Sequence, residues 1–138
     1  MRAVDAALKQ LLSADAGLAA LGVTAVYKGF GPADAVYPFV VFAKIADASR
    51  PWYAMGVKGP TGYDLVYAIQ AVTEGLSSND AGAIDERLQV LLDDAEFAVN
   101  GYTLIKCERG TEIEEPEEVS GKTYWRKGAQ YHISIQKL

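Results

Sequence analysis

From Tyr63 to Leu92 the chain reads YDLVYAIQAVTEGLSSNDAGAIDERLQVLL, and its hydrophobic period changes once along the way. Tyr63, Leu65, Tyr67, Ile69 and Ala71 alternate with Asp64, Val66, Ala68, Gln70 and Val72, which describes a strand with one apolar and one mixed face. After a polar turn, Ile84, Leu88, Leu91 and Leu92 recur at helical spacing. They form a single apolar stripe, with Asp85, Glu86 and Asp93 turned away from it. The pair predicts a sheet with a helix lying on it.

The flanking pattern extends this picture. Val4, Leu8, Leu11 and Leu12, among Ala3, Ala6 and Ala7, make a second amphipathic helix that should lie on the same sheet. Ser13 or Asp15 can cap a short helix through Leu18 and Leu21, and Gly22 suits the left-handed residue that ends it. Val23 to Lys28 is a short strand, closed by Gly29, Gly31 and Pro32. Tyr37 to Ile45 is apolar on both faces and predicts a strand covered on both sides, with Pro38 at its start. Ala46 to Gly62 holds Pro51, Gly56, Gly59 and Pro60 without a sustained period, the signature of a long loop.

Beyond the central helix, Asn100 and Gly101 mark a turn and Tyr102 to Cys107 an alternating strand. Glu108 to Gly121 is acidic and reads as a solvated loop or a projecting hairpin tip. The closing segment alternates most clearly, with Trp125, Ala129, Tyr131, Ile133 and Ile135 opposed to Arg126, Gln130, His132, Ser134 and Gln136. Trp125 is accordingly placed in the core. The fold class is α+β: a largely antiparallel sheet of about four to five strands, two main helices packed on one face, a long loop and a projecting hairpin.

Composition narrows the function. The 138 residues suit one domain spanning 1–138, and 50% hydrophobic with 22% charged residues is the balance of a globular chain. A net charge of -5 argues against a surface for nonspecific duplex binding, which needs many cations. A single cysteine, Cys107, makes no internal disulfide. The first residues interrupt their apolar positions with Asp5 and Lys9, which fits neither a signal peptide nor a membrane span.

No catalytic constellation stands out. His132, the sole histidine, falls on the polar face of the last strand, and no nucleophile motif surrounds it or Cys107. One His and one Cys are too few for a closed zinc site. The Glu run lacks the Asp/Asn alternation and turning Gly of a calcium loop. Gly29 and Gly31 lack phosphate-loop spacing and read as turn residues. No cofactor, metal or catalytic residue is expected. Arg50, Trp52, Tyr53 and Met55 sit among Pro and Gly, where aromatic and Met side chains either anchor partners or fold back as a lid.

Three stretches, AALKQLLSADAGLAAL, VYKGFGPADAVYPFVVF and the Tyr63 to Leu92 segment, together with TYWRKGAQYHISI at the close, resemble the tail completion proteins of long-tailed bacteriophages, also called tail terminator or tail-to-head joining proteins. The resemblance covers most of the chain and rests on hydrophobic pattern and segment order. It implies a non-enzymatic virion protein, assembled in the host cytoplasm, that forms a ring, usually a hexamer. Such a ring sits on the head-proximal end of the tail tube, stops its growth and presents a surface to the head connector. The tube protein and a connector or head-closure protein are then partners, and DNA passes through without specific binding.

On that reading Glu112, Glu114, Glu115, Glu117 and Glu118 face either the ring lumen, where they would repel phosphates, or a basic patch on a neighbouring component. A different neck or head-closure component, or a small ligand-binding or enzymatic α+β domain, are the alternatives.

Overall fold

A computed structural model describes residues 1–50, 62–75 and 77–138, with the side chains of 49 and 50 left aside. The elements run α1 (Arg2–Ser13), α2 (Ala16–Ala20), β1 (Val26–Lys28), β2 (Phe39–Arg50), β3 (Gly62–Glu74), α3 (Asn79–Leu92), β4 (Tyr102–Val119) and β5 (Lys122–Lys137). The strands form one sheet in the order β1-β2-β3-β5-β4. Among the described residues only the β1–β2 pairing is parallel.

Both long helices lie on one face of that sheet. Val4, Leu8 and Leu12 of α1 and Ile84, Leu88 and Leu92 of α3 join Leu65, Tyr67, Ile69, Ala129, Tyr131, Ile133 and Ile135 in the main core. The period of two in β3 and β5 and the helical period in α1 and α3 therefore converge on one buried layer, as the pattern requires. A smaller cluster, Phe39, Val41 and Val72, sits on the opposite face and is flanked by Tyr27, Ala35 and Tyr37. It explains why the β2 sequence is apolar on both sides.

Local chemistry sets the boundaries. Asp15 caps α2 by accepting from Leu18 N–H at 2.8 Å, whereas Ser13 ends α1. The loop expected over 46–62 is shorter: Ala46 to Arg50 continue β2, and Gly62 opens β3. A register shift between Lys44 and Ala46 breaks the period of two there, which hides the strand from pattern reading.

The acidic stretch differs from its expectation in the same way. Residues 108 to 119 belong to β4, paired with β5 from Glu112↔Ala129 to Val119↔Lys122, and only Ser120 and Gly121 form the turn. Both have positive φ, 51° and 78°, as a two-residue hairpin turn demands. The hairpin is thus present, but its arms are sheet strands. β3 accompanies β5 as far as Glu74↔Tyr124, and Gly75 N–H donates to Thr123 C=O at 2.9 Å.

Candidate assembly surface

The sheet order leaves β4 and β1 as its two edges, and they are unlike. β4 is 18 residues long and carries Glu108, Glu112, Glu114, Glu115, Glu117 and Glu118. Glu117 and Glu114 reach Arg126 and Lys127 of β5 at 3.5 and 4.0 Å, and Glu108 pairs with Lys106 on its own strand. Glu115 and Glu118 are exposed and make no ion pair among the described residues. Charged residues and Pro116 on such an edge oppose its pairing with another acidic strand.

β1 is only three residues long. Val40 N–H donates to Ala25 C=O at 3.1 Å and Gly29 N–H to Phe42 C=O at 2.8 Å. By alternation in a parallel ladder the Val26 carbonyl points outward. Lys9 of α1 donates its ammonium to that carbonyl, so the outer edge of β1 is plugged by a lysine. Lys28 stands beside it with 62% of its side chain exposed and pairs at 2.7 Å with Asp5. The Asp5 side chain is only 13% exposed and accepts from Tyr67 O–H at 2.7 Å. Burial pushes the Asp5 carboxyl up, but Lys28, Tyr67 and the chain's amino terminus together hold it below the usual carboxylate value.

Sequence reasoning missed the group that fixes the β4 edge. Asp85, placed away from the helix stripe by its charge, is buried. Arg109 meets it with two N–H···O bonds of 2.9 Å, and the same guanidinium donates to Tyr131 Oη at 2.8 Å and to Glu112 at 3.3 Å. Asp85 raises the Arg109 pKa still further, so the cation is permanent. Burial pushes the Tyr131 hydroxyl up to about 12 against the opposing pull of Arg109. The signal was legible: Ala81, Asp85, Leu88 and Leu92 are themselves an i, i+4, i+7, i+11 stripe, and Arg109 is the one cation between Cys107 and Gly121.

The sheet face away from the helices carries an aromatic group. Tyr27 and Tyr37 pack against Phe39 with ring centroids 5.5 and 5.1 Å apart, and Tyr37 lies 5.1 Å from Tyr124. Beside it a groove of about 270 Å³ is edged by Phe30, Val119 and Arg126, with Phe30 85% exposed. Gly31 lets the chain cross there, because a Cβ would come within 2.8 Å of the Phe39 ring.

Cys107 pairs with Ile133 and Glu108 with His132 in the β4–β5 register. Cys107 is in the core and His132 is exposed, so successive positions put them on opposite faces and no dyad forms. Burial pushes the Cys107 thiol up to about 12. Trp125, assigned to the core by alternation, is half-buried near the hairpin turn and, among the described residues, is not one of the buried core. Alternation names a face without saying how far the helices cover it. Arg50 closes β2 opposite Gly62, while Trp52, Tyr53 and Met55 lie outside the described residues. Glu112, Glu114, Glu115, Glu117 and Glu118 all lie on β4. Among the described residues no group of His, Cys, Asp and Glu gathers as a metal site, and no helix is long and apolar enough to cross a membrane.

The fold has relatives of known structure. A chain from the virion of a native gene transfer agent particle is similar over 95% of this chain and 92% of its own, with TM-score 0.75 and 23% identity. A second solved chain matches over 96% of this one and 94% of its own, with TM-score 0.57 and 15% identity. No curated protein matches by sequence. The family described as tail completion protein gp17 matches residues 6–125. The chain therefore belongs to the tail completion protein gp17 family, and it is a structural virion protein of phage-type tail assembly, not an enzyme.

Proposed function

We propose that this protein caps the head-proximal end of a phage tail tube, ends tube polymerisation and offers the surface to which the head joins. The observation that carries this reading is family membership over residues 6–125 in a chain whose functional features are surfaces. Its two sheet edges differ in length and charge, which suits heterologous contacts around a closing rotation, the geometry of a ring. Six copies is the ring size the family resemblance implies. The tube protein meets one rim and the connector or head-closure protein the other, and DNA passes through the opening without specific binding. Arg50, Trp52, Tyr53 and Met55 belong to the partner contacts of this proposal, and the β4 glutamates line either the opening or a neighbour.

Electron microscopy of particles lacking the protein tests it. Overlong or uncapped tails support termination. Normal tails beside leaking heads would instead assign the protein to head closure. A purified protein that stays monomeric at all concentrations and ignores isolated tail tubes would remove the ring from the proposal.

A further inference from the structure

We infer that the acidic β4 edge of one copy docks, through side-chain ion pairs, against the Lys9–Lys28 edge of the next copy. This rests on the ring proposed above and names its subunit contact. Three observations lead to it. First, β4 and β1 are the opposite edges of one sheet, so a contact between them is heterologous and repeats in one direction. Second, the two edges carry complementary charge, with Glu115 and Glu118 one on each face of the β4 edge by alternation. Glu115 and Glu118 are exposed on β4 without ion-pair partners among the described residues. Lys9 and Lys28 are exposed on the other edge, where Asp5, the carboxylate paired with Lys28, is tucked beneath and engaged by Tyr67, while the Lys9 ammonium meets a carbonyl, that of Val26.

Third, the alternatives are opposed by the same residues. A contact of β4 with β4 brings glutamates together, and one of β1 with β1 brings lysines together; like charges at an interface oppose association. Continuous sheet formation across β1 is hindered because Lys9 already occupies the outward Val26 carbonyl. Side chains therefore make the contact. The Arg109–Asp85 pair holds β4 on α3 where a register shift between Arg109 and Glu112 would otherwise loosen the edge. The edge is thus shaped before assembly, which reduces the ordering cost of docking.

Charge exchange tests this. The mass of the full chain is measured over a concentration series at low and high salt, with and without isolated tail tubes. It is measured for the native protein, for Glu115→Lys/Glu118→Lys, for Lys9→Glu/Lys28→Gln, and for all four together. Lys28→Gln avoids placing a new carboxylate beside Asp5. Circular dichroism confirms that each variant is folded. Each one-edge variant is expected to need a roughly tenfold or higher concentration to assemble, and the four-fold variant to recover most of the loss. Rings that form equally well in all four proteins would overturn the contact and leave the ring itself standing. One-edge defects without recovery in the combined variant would also overturn it. A native protein that never assembles, even on tubes, would defeat the ring and the contact together.

Discussion

Arg109 and Asp85 meet side-on through two N–H···O bonds of 2.9 Å, with only 7% of each side chain exposed. One end of this pair is on the edge strand and the other on the helix that covers the sheet. Removing one partner strands a buried charge, which costs far more than the pair contributes net. Arg109→Met is therefore expected to lower stability by roughly 3–5 kcal/mol in urea unfolding. Asp85→Leu combined with Arg109→Met should recover much of that loss. A double variant no more stable than the single would show that the ion pair is not the cause.

Gly128 marks a place where the sheet admits no side chain. A Cβ there would press on the Ile69 carbonyl oxygen and lie 2.7 Å from Gln70 Cα, both backbone atoms that cannot turn aside. Gly128→Ala is expected to destabilise by about 1–3 kcal/mol, the usual range for overpacking. Gly110→Ala is the control. Its new Cβ meets the His132 ring at 2.8 Å, which an exposed side chain can vacate, and the Gln130 carbonyl oxygen at 3.2 Å, a milder backbone approach than those at Gly128. Thermal unfolding should rank Gly128→Ala well below Gly110→Ala.

The Cys107 thiol is buried and its pKa is pushed up to about 12. It is therefore neutral at pH 8 and shielded, and only the thiolate attacks disulfide reagents. The folded protein should react with a thiol-specific disulfide reagent only through opening of the fold, and the unfolded chain at once. A fast native reaction at pH 8 would contradict the burial.

Asp15 joins α2 to α3. It accepts two bonds from Arg87, at 2.9 and 2.7 Å, besides capping α2. The Arg87 hydrogen bonds lower its pKa, against the rise that burial causes, with the Leu18 amide helping. A carboxylate lowered on folding contributes stability that is fully present above its unfolded value, here 3.8, and is lost as pH falls through the folded value. The stability gap between native protein and Asp15→Asn should therefore be constant near neutral pH and shrink below pH 3.8. A gap unchanged on acidification would exclude this carboxylate as its source.

How much of this was legible depended on where periods were kept. β3, β5, α1 and α3 were readable because an alternation or a stripe ran unbroken through each, and Leu65, Tyr67, Ile133 and Leu88 are buried as that pattern assigns. The ends of β2 and the length of β4 were hidden, because register shifts after Lys44 and Arg109 interrupt the period and an exposed edge permits glutamates at every position. Asp85 was misplaced for another reason. Charge predicts exposure unless a partner arrives, and the partner lies 24 residues away on another element.

By itself, then, the sequence determined the fold class and the helix-covered face, since both rest on local hydrophobic spacing, and it holds the stretches that match the family. Tertiary structure alone decided that the acidic stretch is a sheet edge, that Lys9 plugs the edge opposite, and that Cys107 and His132 look in opposite directions. These are relations between distant segments, set by strand order and register, and no local period encodes them.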